Sequence, residues 1–100
     1  MTIYLAGPIT GDKNYRKKFK AAADWLKGMG FEVNNPAELP DGWTPKEYMA
    51  ACIPMLLGSD CATFLPGWLE SSGASIERRL ADYCGIPVLE WDNVEVFHGD

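Results

Sequence analysis

Residues 59–77 read Ser59-Asp60-Cys61-Ala62-Thr63-Phe64-Leu65-Pro66-Gly67-Trp68-Leu69-Glu70-Ser71-Ser72-Gly73-Ala74-Ser75-Ile76-Glu77. Asp60 to Leu65 is a run of apolar and β-tolerant residues, long enough for a strand buried on both faces and too short for a typical helix. Pro66-Gly67 stops it. Ser71 or Ser72 can cap the helix that follows, and Gly85 with Pro87 just beyond marks its end. A strand, a polar loop and a helix N-terminus in that order build a crevice at the carboxyl end of a parallel sheet, where open α/β folds bind small ligands. Glu77 is the carboxylate carried into that helix. About one turn in, near unpaired N–H groups and the positive end of the dipole, it is expected to favour its ionised form.

Toward the N-terminus, Thr2-Ile3-Tyr4-Leu5-Ala6 is a second short apolar run, cut off by Gly7-Pro8, and reads as a central parallel strand. The loop Gly7-Pro8-Ile9-Thr10-Gly11 has glycines that let backbone N–H groups approach a ligand, although a plain strand-to-helix turn explains it equally well. It lacks the lysine-serine ending of a Walker loop and is no dinucleotide fingerprint. Tyr15, Phe19, Ala22, Leu26 and Met29 then recur at helical spacing, with Gly28 and Gly30 ending the helix. Phe31 to Asn34 forms a shorter strand, and Asn35-Pro36-Ala37-Glu38 turns toward the rim of the first loop. Thr44-Pro45-Lys46-Glu47 has the cap, the first-turn proline and the glutamate of a helix start, and Pro54 is expected to interrupt or kink that helix before Gly58.

Toward the C-terminus, Ile86 to Trp91 reads as another strand, and the alternation of Val94, Val96 and Phe97 suggests an edge strand or a partner contact. Strands alternating with helices predict one α/β domain over residues 1–100, a flavodoxin-like or Rossmann-like parallel sheet of about four or five strands with helices on both faces. With the first and third strands adjacent at the centre, Tyr4, the Gly7–Gly11 loop, Trp68, Ser71 and Glu77 surround one pocket.

Composition sets outer limits. The 100 residues carry a formal charge of -5, which gives no invitation to a nucleic-acid polymer. Lys13, Arg16, Lys17, Lys18 and Lys20 crowd one segment and read as a solvated helix face, while Glu90, Asp92, Glu95 and Asp100 gather at the other end. Cys52, Cys61 and Cys84 lack close metal-ligand spacing and read as reduced, buried thiols. Met1 leads straight into a short strand, so neither a secretory signal nor a membrane span is expected, and the cytoplasm is the expected address. His98, the only histidine, lies among the acids of the tail and is not enlisted as a base.

Several of these motifs, taken in order, carry a resemblance. Ile3 to Gly11, Asn35-Pro36-Ala37-Glu38, Leu65-Pro66-Gly67-Trp68 and Ser71 to Glu77 together resemble the nucleoside 2-deoxyribosyltransferase-like family, in particular its short bacterial and phage members, over nearly the whole chain to about Leu89. The better-known relatives include deoxyribosyltransferases and nucleoside 5′-monophosphate N-glycosidases. The resemblance implies that Glu77 attacks the anomeric carbon of the sugar, that Tyr4 orients Glu77, and that Ser71, beside Gly73, holds a 5′-phosphate or 5′-hydroxyl. It matches Gly7, Pro8, Ile9, Thr10 and Gly11 to the substrate loop. A nucleoside or nucleotide is then the small-molecule partner, with no metal, no cofactor and no membrane, in a homodimer or larger homo-oligomer whose candidate seam is the Thr44–Leu57 helix.

The chemistry is coherent: cleaving an N-glycosidic bond passes through an oxocarbenium-like state that a carboxylate stabilises and then traps. One position departs from the pattern. Relatives commonly hold an aspartate eight residues before the residue matching Asp60, and here that position is Cys52. Asp60 itself reads as a structural residue.

Plainer readings stand beside each assignment. Glu77 can also be read as an exposed acid pairing with Arg78 or Arg79, Tyr4 as a core aromatic, Ser71 as a cap only, and Trp68 as a cover for a core edge or dimer seam rather than a base-stacking platform. Trp25, Trp43 and Trp91 read as packing residues. Three functions follow: an N-glycosidase or deoxyribosyltransferase, a nucleotide-binding module of the same fold without turnover, and a small homo-oligomeric interaction protein.

Overall fold

In a computed structural model, which describes residues 1–90, strand β1 (Thr2–Ala6) pairs on one side with β2 (Glu32–Asn34) and on the other with β3 (Cys61–Phe64), and β3 pairs with β4 (Val88–Leu89). Every pairing is parallel and the order is β2-β1-β3-β4. This is the expected flavodoxin-like arrangement with the first and third strands at the centre. Because the chain steps from β1 to β2 in one direction and to β3 and β4 in the other, right-handed crossovers put the first helix on one face and the next two on the opposite face.

Side-chain alternation along β1 divides the core accordingly. Ile3 and Leu5 face helix α1 (Tyr15–Gly28), which presents Phe19, Ala22, Ala23 and Leu26. Tyr4 and Ala6 face the other layer, where α2 (Pro45–Leu57) brings Cys52 and Leu56 and α3 (Ser72–Cys84) brings Ala74 and Ala81. Burying side chains such as Phe19 and Leu26 contributes about 2 kcal/mol each.

Helix ends follow the capping chemistry of the sequence. Thr44 and Glu47 form a reciprocal capping box on α2, and Ser71 Oγ accepts from the Ala74 N–H at the start of α3. Gly85 closes α3 in the left-handed region at φ 72°.

Several local expectations need correction. Pro54 does not interrupt α2, which runs through to Leu57; the carbonyl that loses its partner belongs to exposed Ala50, where water can satisfy it. Met29 is 55% exposed, since it lies past the last residue of α1 and helical spacing no longer directs it. Cys52 and Cys61 are buried free thiols, but Cys84, at the end of α3, is exposed. The last described strand is only Val88–Leu89; Trp91, the alternating tail, His98, Asp92, Glu95 and Asp100 lie outside the described residues.

The basic segment of α1 is indeed a solvated face. Lys18 pairs with Asp12 and Lys20 with Asp24, both at 2.8 Å, and Arg16 with Asp41 at 3.2 Å. Asp60 has the structural role expected of it, accepting the Thr2 N–H at 2.8 Å. No described helix is long and apolar enough to cross a membrane.

Candidate active site

Ala74, Glu77 and Ala81 are the buried residues of α3, spaced by three and four, so a carboxylate stands in the middle of the helix's inward stripe. It faces the side of β1 that carries Tyr4. The Tyr4 hydroxyl donates to Glu77 Oε2 at 2.6 Å, with Tyr4 1% and Glu77 6% exposed. Neither arginine that follows Glu77 pairs with it in the described contacts. Arg78 instead reaches Glu90 at 2.9 Å and lies over the rings of Phe64 and Trp68.

Glu77 ionises less readily than the helix-start reading expects. Burial pushes its carboxyl up to about 7, and the hydrogen bond from Tyr4 offsets only part of that rise. It stands five positions past the first residue of α3, beyond the turn whose N–H groups are free. Burial, followed by the nearby Glu77 charge, drives the Tyr4 phenol far above its ordinary range, so it acts as a neutral donor.

Cys52, from α2, is the third group at this point. Its thiol interacts with the Tyr4 hydroxyl and is raised by burial, with Glu77 adding to the rise and Tyr4 opposing it. Cys52 therefore lies on the floor of the site, beside Tyr4 and Glu77. Glu77 is the only buried carboxylate among the described residues.

These three side chains open onto a cavity of about 390 Å³ at the carboxyl ends of β1 and β3. Gly7, Ile9 and Thr10 from the first loop line it, as do Ser71 and Gly73 from the start of α3. Gly7 is needed for packing: a Cβ there would stand 2.9 Å from Leu65 Cβ and 3.3 Å from the Phe19 ring. A Cβ on Gly73 would come within 3.1 Å of Met49 Cε, which marks how closely α2 and α3 approach at the mouth.

Three expected residues are not part of the lining. Pro8 and Gly11 lie outside it, Gly11 serving a turn at φ 85°. Trp68 packs on Phe64 at 5.6 Å between ring centroids and borders a separate hollow of about 260 Å³ with Pro66 and Leu69. Its place under Arg78 makes it a cover for the core edge and not a base-stacking platform in the cavity.

Other lining residues were not anticipated. Pro45, Tyr48 and Met49 form the wall contributed by α2, with Pro36 beside them and Glu70 on the exposed rim. Tyr48 is held in place, its hydroxyl donating to the Pro40 carbonyl at 2.9 Å and its ring 5.6 Å from that of Trp43. The spacing of Pro45, Tyr48, Met49 and Cys52 is one helix face, a signal present in the sequence but obscured because α2 is apolar nearly all round. Part of the apolar surface read as an oligomer seam thus belongs to the cavity, leaving Leu57 49% exposed outside it.

No lysine, arginine or histidine among the described residues lines the cavity. No three His, Cys, Asp or Glu side chains among those residues are placed to hold a metal ion. A family model described as "Domain of unknown function (DUF4406)" matches residues 1–90, and the chain belongs to that family. Comparison with curated proteins finds no match, and neither does comparison with solved structures.

Proposed function

We propose that this member of the DUF4406 family cleaves the N-glycosidic bond of a nucleoside or nucleoside 5′-monophosphate, with Glu77 as nucleophile and water or a second base as acceptor. The observation that carries this reading is the buried 2.6 Å hydrogen bond between Tyr4 and Glu77 at the floor of a nucleoside-sized cavity. The resemblance to nucleoside 2-deoxyribosyltransferases drawn from the sequence supports it, since it assigned those two residues to one site.

In this reading the sugar lies over Glu77 with its anomeric carbon facing the carboxylate. Tyr4 fixes the carboxylate's orientation, and the deprotonated form of Glu77 stabilises the oxocarbenium-like state and then bonds to the anomeric carbon. Ser71 and the backbone N–H groups at the start of α3 take the 5′ end. Tyr48 and Met49 lie along the wall against the base. Water or a second base then releases the sugar from Glu77.

Cys52 favours a second reading, in which the protein holds a nucleoside-like ligand without turning it over. The floor has a thiol where relatives place a carboxyl, and no other buried carboxylate stands among the described residues. Incubation with a panel of nucleosides and 5′-monophosphates, with and without acceptor base, separates the two. Free base released by the wild type and absent with Glu77→Ala supports the enzyme; ligand-induced thermal stabilisation with no released base supports the binding module and overturns the enzyme.

A further inference from the structure

A departing neutral base must acquire a proton, and a positioned acid typically contributes about 10²–10⁴-fold to such a step. The floor of this cavity holds two protons near Glu77, on the Tyr4 phenol and the Cys52 thiol. Both groups are poorer acids than usual because they are buried beside a carboxylate. The other carboxylate of the lining, Glu70, is on the exposed rim rather than the floor.

The remaining lining points the same way. Among the described residues two carboxylates line the cavity, Glu77 on its floor and Glu70 on its rim, and no cationic side chain lines it beside them. Tyr48, fixed by Pro40 and Trp43, presents an aromatic wall to it. Carboxylates and an immobilised aromatic side chain without a counter-cation attract a positively charged ligand.

Resting on the glycosidic reading above, we propose that the substrates are nucleosides whose base already carries a positive charge in the ring bearing the glycosidic nitrogen: pyridinium and N-alkylpurinium nucleosides. Such a base needs no proton to leave. The C1′–N bond breaks, its electron pair returns to the ring and neutralises it, and the Glu77 carboxylate forms a bond to C1′. Water then attacks C1′, the carboxylate departs with the electron pair of that bond, and the water's surplus proton passes to solvent. Each turnover converts a cationic nucleoside and water into free sugar, neutral base and one proton.

The test compares matched pairs: 7-methylguanosine with guanosine, and nicotinamide riboside with its neutral dihydro form, each also as the 2′-deoxy sugar. Every rate is divided by the uncatalysed rate of the same compound, because charged nucleosides are intrinsically more labile. The acceleration by wild type is expected to be about a hundredfold or more greater for the cationic member, the deficit expected where no acid among the described residues is positioned against the base. It should be abolished by Glu77→Gln. Cys52→Asp should narrow the gap by raising cleavage of the neutral member; if that variant does not fold, the wild-type pairs still decide. Equal Glu77-dependent acceleration of both members overturns the charged-base assignment and leaves the glycosidase standing. Absence of Glu77-dependent cleavage throughout overturns both.

Discussion

Tyr4 and Glu77 are 73 positions apart in the chain, yet they share a buried hydrogen bond of 2.6 Å. β1 directs Tyr4 onto the face that α3 covers, and α3 turns Glu77 inward between Ala74 and Ala81. A carboxylate buried at this cost in desolvation has measurable consequences.

The first concerns stability against pH. Glu77 is raised from 4.5 to about 7 in the folded chain, so the carboxyl's contribution is complete below about pH 4.5 and is lost as pH rises through 7. Glu77→Gln cannot titrate. Relative to wild type it should gain about 3 kcal/mol between pH 4.5 and pH 8, measured by denaturant unfolding at both values. Parallel stability profiles would show that the carboxyl is not buried.

Tyr4→Phe removes the group that holds the carboxylate down. The pKa of Glu77 should then rise further above 7, moving the ascending limb of any pH–rate profile to higher pH, and the fold should lose about 1–2 kcal/mol. Carboxyl-carbon NMR titration of Glu77 reads this shift directly. An unchanged midpoint would contradict the assigned role of Tyr4.

Ser71 combines two duties that substitution can separate. Ser71→Ala removes the cap on α3 and should cost about 1 kcal/mol, whereas Ser71→Asp keeps a capping oxygen and should restore stability. If Ser71 also contacts the 5′ end of the substrate, both variants should raise KM about tenfold, an effect that capping alone would not produce in the aspartate variant. Steady-state kinetics beside thermal unfolding separates the duties.

Two glycines of the first loop should respond for different reasons. Gly7→Ala forces a Cβ against Leu65 at 2.9 Å and should cost about 1–3 kcal/mol through overpacking. Gly11→Ala meets nothing within 4 Å but holds φ 85°, so its cost of about 1 kcal/mol is purely conformational. Thermal unfolding of the two single variants reads both costs, and an undiminished melting temperature for Gly7→Ala would contradict the close packing of this loop on Leu65 and Phe19.

Much of this arrangement was legible from local patterns. The apolar runs at Thr2–Ala6 and Cys61–Phe64 and the caps at Thr44, Ser71 and Gly85 use short-range chemistry, and the strand order follows from alternating elements and crossover handedness. The convergence of Tyr4 and Glu77 was expected because the loops after the first and third strands flank one crevice. What local patterns did not carry was depth. Glu77 reads as ionised from its place near a helix start, or as an exposed acid from its neighbours Arg78 and Arg79, whereas its burial follows from the inward stripe it shares with Ala74 and Ala81. Trp68 suggests a ligand platform until Arg78 and Phe64 are seen to enclose it. The α2 wall was hidden because a helix apolar on most sides does not announce which side faces a cavity.

The most direct test of the central claim is to trap the sugar. A 2-deoxy-2-fluoro nucleoside with a readily departing base, incubated with the protein at pH 8 where Glu77 is ionised, should leave one fluoro-sugar adduct in the intact mass spectrum. Fragmentation should place it on Glu77, and Glu77→Gln should form none. An adduct mapped to another residue, or base release that continues undiminished in Glu77→Gln, would contradict the account.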